Sequence, residues 1–314
     1  MIQAAIIGLG AIGQRVLSNF INHPEIKISA ICDRNPDVTR ETSEKIGDVL
    51  SFTDHVLLLK EADVDLVYIA VPPKYHHRIA ADVMLAGKHV LCEKPLANSL
   101  EEAESLAALA DEKGIVHAMN FPLLYSAGSS TFASLIKKGY IGKPRRLELK
   151  MHFPAWPRPW QQNEWVAGKE QGGFVLEVGV HYIHQIQRIF GPVTVLDKSV
   201  QYPEDPNSCE IGIIARLKLE DGTPVVIDGL SGIAGDEEIR FTAYGTEGTL
   251  SLLNWADLEG GKLGEKVLPI EADESLTGSL VLELTKALKG EKANLADFHE
   301  GLHAQMVLEQ LRGE

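Results

Sequence analysis

Three sets of residues in this chain could do chemistry. Gly8, Gly10 and Gly13 stand in the run Ile6-Ile7-Gly8-Leu9-Gly10-Ala11-Ile12-Gly13, and Asp33 follows twenty residues after the last of them. Gly8 permits a tight turn, and Gly10 lets a pyrophosphate approach the backbone. Gly13 lets the next helix pack closely while its amino end, at Ala11 and Ile12, faces the phosphates. The Asp33 carboxylate is then placed for the adenosine ribose hydroxyls, which favours NAD over NADP, and Arg34 directly after it blurs that preference. Lys94, in Glu93-Lys94-Pro95, offers an ammonium that can hydrogen-bond an alcohol oxygen and stabilise it as negative charge develops. His181 offers a proton carrier near neutral pH, with Glu177 four residues before it to orient the ring and His184 three residues after.

Positioning these groups calls for a parallel sheet covered on both faces. The apolar residues before Gly8 read as a buried strand, Ile12, Val16 and Phe20 recur at helical spacing, and a second strand over Ile26–Cys32 ends at the acid. Strands are expected over 65–71, His89–Cys92 and 115–119. Helices are expected over 75–86, closed by Gly87, and from a capping box of Ser99 and Glu102 as far as Gly114. Val71-Pro72-Pro73-Lys74-Tyr75-His76 and Glu93-Lys94 therefore lie at carboxyl ends of strands, where ligands of open α/β sheets gather. Val71, Pro72, Pro73 and His76 are expected to wall the cofactor there.

After about residue 120 the pattern changes. A helix over 126–138 leads into a strand over 146–153, and 193–253 holds several strands divided by turns such as Glu220-Asp221-Gly222 and Gly245-Thr246-Glu247-Gly248. Strands joined by such short turns pair antiparallel. The stretch 276–311 reads as helical and is expected to pack back on the rest. The fold class is thus α/β, with a dinucleotide-binding domain over 1–120 and a second α/β domain over 121–314 built on an open, mostly antiparallel sheet.

The helix that opens at Gly172-Gly173 and carries His181 is apolar around most of its circumference, through Val175, Leu176, Val178, Val180, Tyr182, Ile183, Ile186 and Ile189, so burial is expected. Glu177, His181 and His184 share one stripe of it. Ionisable groups there must be paired, metal-bound or turned to a polar cavity. The stripe alone is also compatible with a satisfied core network or with three ligands of a metal, although no further acidic or cysteine cluster stands out. A lone lysine such as Lys94 is ordinarily a solvated charge.

A chain of 314 residues exceeds one ordinary core. Its net charge of −14, with no Lys/Arg cluster, argues against nucleic acid and anionic membranes as partners. No apolar run approaches a membrane span, and the amino terminus is expected to enter a strand directly instead of forming a signal peptide. Cys32, Cys92 and Cys209 are few, far apart and without metal-ligand spacing, which fits small core side chains in a reducing cytosol. No metal site is expected.

Together these motifs resemble the family of glucose–fructose oxidoreductase, inositol dehydrogenase and MocA, NAD(P)-dependent sugar-type oxidoreductases. The resemblance rests on Gly8 to Gly13, the prolines before His76, Glu93-Lys94-Pro95, Asn120, and the Gly172-Gly173 helix with His181. It implies a Rossmann domain followed by a domain with a large open sheet used for homodimer or homotetramer contacts. It also implies that Lys94 and His181 match the catalytic Lys and His, often with a cis Lys-Pro bond, and that Glu93, Lys94 and Asn120 lie by the cofactor. The chain departs from the family at Glu177, where Asp is usual, and at His184, where an Asp commonly follows the His.

Phe153-Pro154-Ala155-Trp156-Pro157-Arg158-Pro159-Trp160-Gln161-Gln162, with Trp165 nearby, could wall a carbohydrate site, since indole faces stack on sugar C–H faces while Arg158, Gln161 and Gln162 bond hydroxyls. It could equally be a proline-stiffened loop anchored by its tryptophans. The resulting expectation is a cytosolic NAD(P)-dependent oxidoreductase of a secondary alcohol or ketone in a sugar, inositol or sugar acid. Lys94, His181 and Glu177 would be catalytic, and Trp156, Arg158, Trp160, Gln161 and His184 would contact substrate. A dinucleotide-binding regulator without turnover is the rival reading. A non-sugar reductase of the dihydrodiol dehydrogenase or biliverdin reductase type is a third.

Overall fold

The computed structural model describes residues 1–47, 49–161 and 163–313. In chain order the first 120 residues form β1 (Ile2–Ile7), α1 (Ala11–Ile21), β2 (Ile26–Cys32), α2 (Pro36–Ile46), β3 (Leu50–Phe52), α3 (His55–Glu61), β4 (Leu66–Ile69), α4 (His76–Leu85), β5 (His89–Cys92), α5 (Leu100–Lys113) and β6 (His117–Met119). There follow α6 (Ala127–Lys137), β7 (Pro144–Phe153), a wide helical turn at Val175–Gly179 and α7 (Val180–Phe190). The strands β8 (Val193–Gln201), β9 (Gly212–Leu219), β10 (Pro224–Ser231), β11 (Glu238–Gly245), β12 (Gly248–Leu253), β13 (Asp257–Lys262) and β14 (Leu268–Ile270) come next, then α8 (Leu280–Leu288) and α9 (Phe298–Arg312). Two compact units result. The first is Met1–Asn120 with Ser279–Gln305, and the second is Phe121–Gly278 with the residues from Met306 onward.

The first unit is built on six parallel strands in the order β3-β2-β1-β4-β5-β6. Strand order reverses between β1 and β4, the point beyond whose carboxyl ends such sheets bind ligands. The helix α1 buries Val16, Leu17 and Phe20 against Ile6, Ile28, Leu66 and Tyr68, each fully buried apolar side chain contributing about 1.5–3 kcal/mol. The same cluster contains Val281 and Leu284 of α8. Apolar burial therefore returns residues 279–305 to the first unit. The helical stretch expected over 276–311 is corrected to two helices. Gly290, at φ 75°, follows α8, and the segment before α9 is non-helical, with its Ala296 carbonyl accepting the Met119 N–H at 2.8 Å.

Eight strands in the order β14-β13-β12-β11-β7-β10-β9-β8 make the second sheet. Its neighbours are antiparallel except β7 and β10, which run parallel. The strands alternate. Leu147, Leu149, Met151 and Phe153 of β7 and Ile239, Phe241 and Ala243 of β11 are buried, while Arg146, Glu148, Lys150, Glu238 and Arg240 lie on the other face. Helices cover the apolar face: Phe132 of α6 and Tyr182 of α7 both pack on Phe241, at 5.1 and 6.3 Å between ring centroids. The three cysteines are free and buried, and burial pushes the thiols of Cys32 and Cys209 up to about 12, as core side chains require.

Candidate active site

The glycine turn after β1 is shaped by close approach. Gly8 has φ 96°, and a Cβ there would lie 2.3 Å from the Ala70 carbonyl oxygen. A Cβ at Gly13 would lie 2.0 Å from the carbonyl oxygen of Gly8 itself. At Gly10, by contrast, a Cβ would meet nothing within 4 Å. Gly10, Ala11 and Ile12 are exposed, and no side chain caps the amino end of α1. Open space, bare N–H groups and a helix dipole together suit the pyrophosphate of a dinucleotide. Asp33 braces this turn from the end of β2, its Oδ2 accepting the Leu9 N–H at 2.8 Å and its Oδ1 the Asn35 N–H at 2.9 Å. Arg34 is exposed and donates to the Tyr75 hydroxyl at 3.3 Å, with its guanidinium 5.9 Å from that ring's centroid.

At the end of β5, Glu93 is the hub of a buried network. Its Oε1 accepts the Tyr68 hydroxyl and the Asn120 side-chain amide, each at 2.5 Å, while its Oε2 faces the Lys94 N–H at 3.4 Å. Burial raises the Glu93 pKa, and those donors pull the other way. His76 ties the proline loop to the same edge: its Nδ1 lies 2.7 Å from the Pro95 carbonyl and its Nε2 lies 2.8 Å from that of Val71. Buried completely, His76 has a lowered pKa because desolvation penalises the imidazolium. Pro73 is buried, and Val71 and Pro72 are half-buried beside it. The Lys94-Pro95 bond is cis, and Lys94 is half-buried.

In the second unit the regular helix expected from Gly172 is corrected. The backbone of Val175–Gly179 is wound one residue wider than an α-helix, with the Val180 N–H reaching the Val175 carbonyl, and α7 begins only after it. Two forces act at this turn. Glu210 Oε1 takes the Val175 N–H at 2.8 Å, and Gly179, a poor helix former, lies within the wider turn. Glu177 therefore leaves the α-helical register assumed for the stripe: it is half-buried, whereas His181 and His184 are 6% and 3% exposed.

Gly172 and Gly173 are explained by what crowds them. A Cβ at Gly172 would lie 2.2 Å from the Val166 carbonyl oxygen, and one at Gly173, whose φ is 96°, would lie 2.2 Å from the Glu210 carboxylate. Arg312, in the last turn of α9, fixes the approach to the helix by donating to the carbonyls of Lys169 and Gly172 at 2.6 and 3.2 Å. The His181 ring is flanked by two aromatic rings edge to face, Phe121 at 5.8 Å and Trp255 at 5.3 Å. His184 instead lies flat on Phe121, 4.0 Å between centroids and 4° between planes.

In the tryptophan loop Arg158 is clamped by Glu237 through two hydrogen bonds of 2.8 Å and lies over the rings of Phe153, Trp156 and Trp160. Trp156 donates to the Val166 carbonyl at 3.3 Å and packs on Phe153 and Phe174. Gln161 accepts the Arg158 N–H at 3.1 Å. Trp160 is 60% exposed. Gln162 lies outside the described residues. Among the described residues no group of three or more His, Cys, Asp or Glu is arranged to hold a metal ion, and no helix is long and apolar enough to cross a membrane.

Residues 2–121 match the model of the oxidoreductase family with an NAD-binding Rossmann fold, and residues 130–251 match the GFO/IDH/MocA C-terminal domain. The chain belongs to the GFO/IDH/MocA family. Its relatives there include a dTDP-3,4-didehydro-2,6-dideoxy-alpha-D-glucose 3-reductase of Streptomyces antibioticus, 27% identical over 76% of this chain and 71% of that one. A levoglucosan dehydrogenase of Pseudarthrobacter phenanthrenivorans is 25% identical over 70% of this chain and 63% of that one. Among solved structures, a 3-ketoreductase from Actinomadura kijaniata in complex with NADP and TDP-benzene superposes with a TM-score of 0.84 at 22% identity, covering 99% of this chain and 97% of that one.

Within this GFO/IDH/MocA oxidoreductase, residues that do not stand out in the sequence surround the candidate groups in each unit: Tyr68 bonds Glu93 in the first, and Phe121, Glu210 and Trp255 pack on or hold the His181 helix in the second. Only Glu210 left a trace, in the paired glycines that make room for it.

Proposed function

We propose that this chain transfers hydride between a nicotinamide cofactor and a secondary alcohol or ketone of a sugar, inositol or sugar acid. One observation carries the reading: a single chain joins a glycine turn open to a pyrophosphate with Lys94, whose backbone adjoins the buried Glu93 network, and with His181, whose imidazole is flanked by the rings of Phe121 and Trp255. The sugar-converting relatives supply the substrate class. When bound, the dinucleotide supplies the hydride acceptor in the oxidative direction. The Lys94 ammonium hydrogen-bonds the reacting oxygen and stabilises its developing charge. His181 takes the hydroxyl proton, and we assign this to Nε2 because Nδ1 is buried. Glu177, on the wide turn before His181, is the carboxylate we assign to orienting that ring. Glu93 and His76 hold Lys94 in place, since both engage the backbone on either side of it.

Asp33 directs the preference toward NAD through the ribose hydroxyls, while Arg34 leaves NADP tolerated. In the tryptophan loop, the exposed indole of Trp160 is the ring we assign to substrate; Arg158 and Trp156 brace it. The charged face of the second sheet, with Leu196, Ile214 and Leu230 exposed on β8 to β10, forms a homodimer or homotetramer contact that light scattering would count.

A panel of aldoses, inositols and sugar acids offered with NAD or NADP, and followed by nicotinamide absorbance, tests the reading. Turnover of at least one member is expected. The competing reading, a regulator that binds the dinucleotide without turnover, takes its support from His184, which lies flat against Phe121 in a packing role. Tight cofactor binding with a silent panel would favour it.

A further inference from the structure

The hairpin between β12 and β13 holds the two non-glycine residues of positive φ among the described residues. Asn254 and Trp255 have φ of 44° and 78°, the left-handed region that side chains other than glycine rarely enter. For a ring as bulky as indole such a conformation persists only where the surroundings over-determine it. They do so here from three directions. The Ala256 N–H closes the turn on the Leu253 carbonyl at 3.0 Å. Asn254 is pinned to β11, its side-chain oxygen accepting the Ile239 N–H at 3.1 Å and its own N–H donating to the Ile239 carbonyl at 2.8 Å. The Ala256 carbonyl lies so close to α6 that a Cβ at Gly128 would come within 2.0 Å of its oxygen.

What this strained turn accomplishes is the placement of one ring. Trp255 sits 5.3 Å from the His181 imidazole at 75° and 5.4 Å from the Tyr182 ring, and it remains half-buried where its neighbours on α7 are buried. A turn that needed only to reverse the chain would be better served by glycine at that position.

We infer that Trp255 is a specificity-determining residue: its indole forms an apolar wall beside the His181 imidazole on which the C–H face of a sugar or cyclitol ring stacks. The inference rests on the sugar-oxidoreductase reading and deepens it. Stacking an indole on a sugar face orients the ring so that one hydroxyl is presented to His181, and it disfavours acyclic polyols, which have no such face.

Two variants of the dinucleotide-loaded protein test this. W255G relieves the left-handed strain and removes the ring, whereas W255F keeps an aromatic face. With levoglucosan, D-glucose and myo-inositol as probes, KM and calorimetric affinity for whichever binds are expected to weaken by about tenfold or more in W255G and to recover most of the way in W255F. Dinucleotide affinity and thermal midpoint are expected to stay close to wild type. Turnover with unchanged KM in W255G would overturn the inference and leave the redox reading standing. Ring binding that depends on Trp255 in a protein without turnover would uphold the inference and remove the redox reading.

Discussion

Single residues carry the sharpest tests. A methyl group at Gly13 has nowhere to go, since the Gly8 carbonyl oxygen already stands 2.0 Å from its place; Gly13→Ala is expected to lower the unfolding midpoint in a denaturant titration by the equivalent of about 1–3 kcal/mol. Gly10→Ala meets no protein atom. It is expected to melt like the wild type and yet bind NAD at least about tenfold more weakly, because the added methyl occupies the approach of the phosphates. A Gly10→Ala protein with intact NAD affinity would remove the pyrophosphate from that turn. The glycine run, Lys94 and His181 stand out in the sequence because their chemistry is written in local spacing. Tyr68, Trp255 and Glu210 do not, because their partners are distant: Glu210 meets Val175 from 35 residues away and Tyr68 meets Glu93 from 25. Arg158, which the sequence offers to a substrate, has a partner that local spacing also hides: Glu237, 79 residues away, holds its guanidinium.

Among the elements, the helix bearing His181 depends most on a single anchor. Glu210 meets its first turn with a buried carboxylate whose pKa burial raises. Glu210→Ala is expected to cost about 1–3 kcal/mol in chemical denaturation, the penalty of a buried donor left unsatisfied. Glu210→Gln keeps an accepting oxygen and is expected to retain most of the stability. Equal losses in both would assign the effect to charge instead of to the hydrogen bond. Periodicity made the parallel strands and the capping box of α5 legible, and the Ser99 hydroxyl does accept the Glu102 N–H at 3.2 Å. It could not show the wide turn at Val175–Gly179, which tertiary contacts impose on an otherwise helical pattern. Nor could it split the last helical stretch at Gly290, where the helix pattern resumes after a short non-helical segment.

For the molecule as a whole, buried histidines set a pH limit. Desolvation lowers the pKa of His76, His89 and His117 below 6.5. The unfolded chain therefore takes up protons below about pH 6.5 that the folded chain refuses, and the stability from these groups is lost as pH falls through that value. Glu93 and Glu210, raised from 4.5 by burial, act in the opposite sense, their penalty growing as pH rises above 4.5. The histidine term is separable by comparison: a His76→Gln protein is expected to lose less of its thermal midpoint than wild type between pH 7 and 5.5. Identical slopes would mean that His76 titrates alike in the folded and unfolded chain, and a larger loss in the variant would mean that it is charged in the folded protein, with both carbonyls accepting from it.

In the proposed reaction Lys94 and His181 serve one reacting oxygen. Its most direct test is a double-mutant cycle of turnover with a substrate from the sugar panel, using Lys94→Ala, His181→Ala and the pair, with dinucleotide affinity measured alongside. Each single substitution is expected to cut turnover by about a hundredfold or more at nearly unchanged affinity, and the pair is expected to do little worse than either alone, as residues that act as a unit do. Wild-type turnover in either single variant, or losses that simply multiply in the pair, would contradict it.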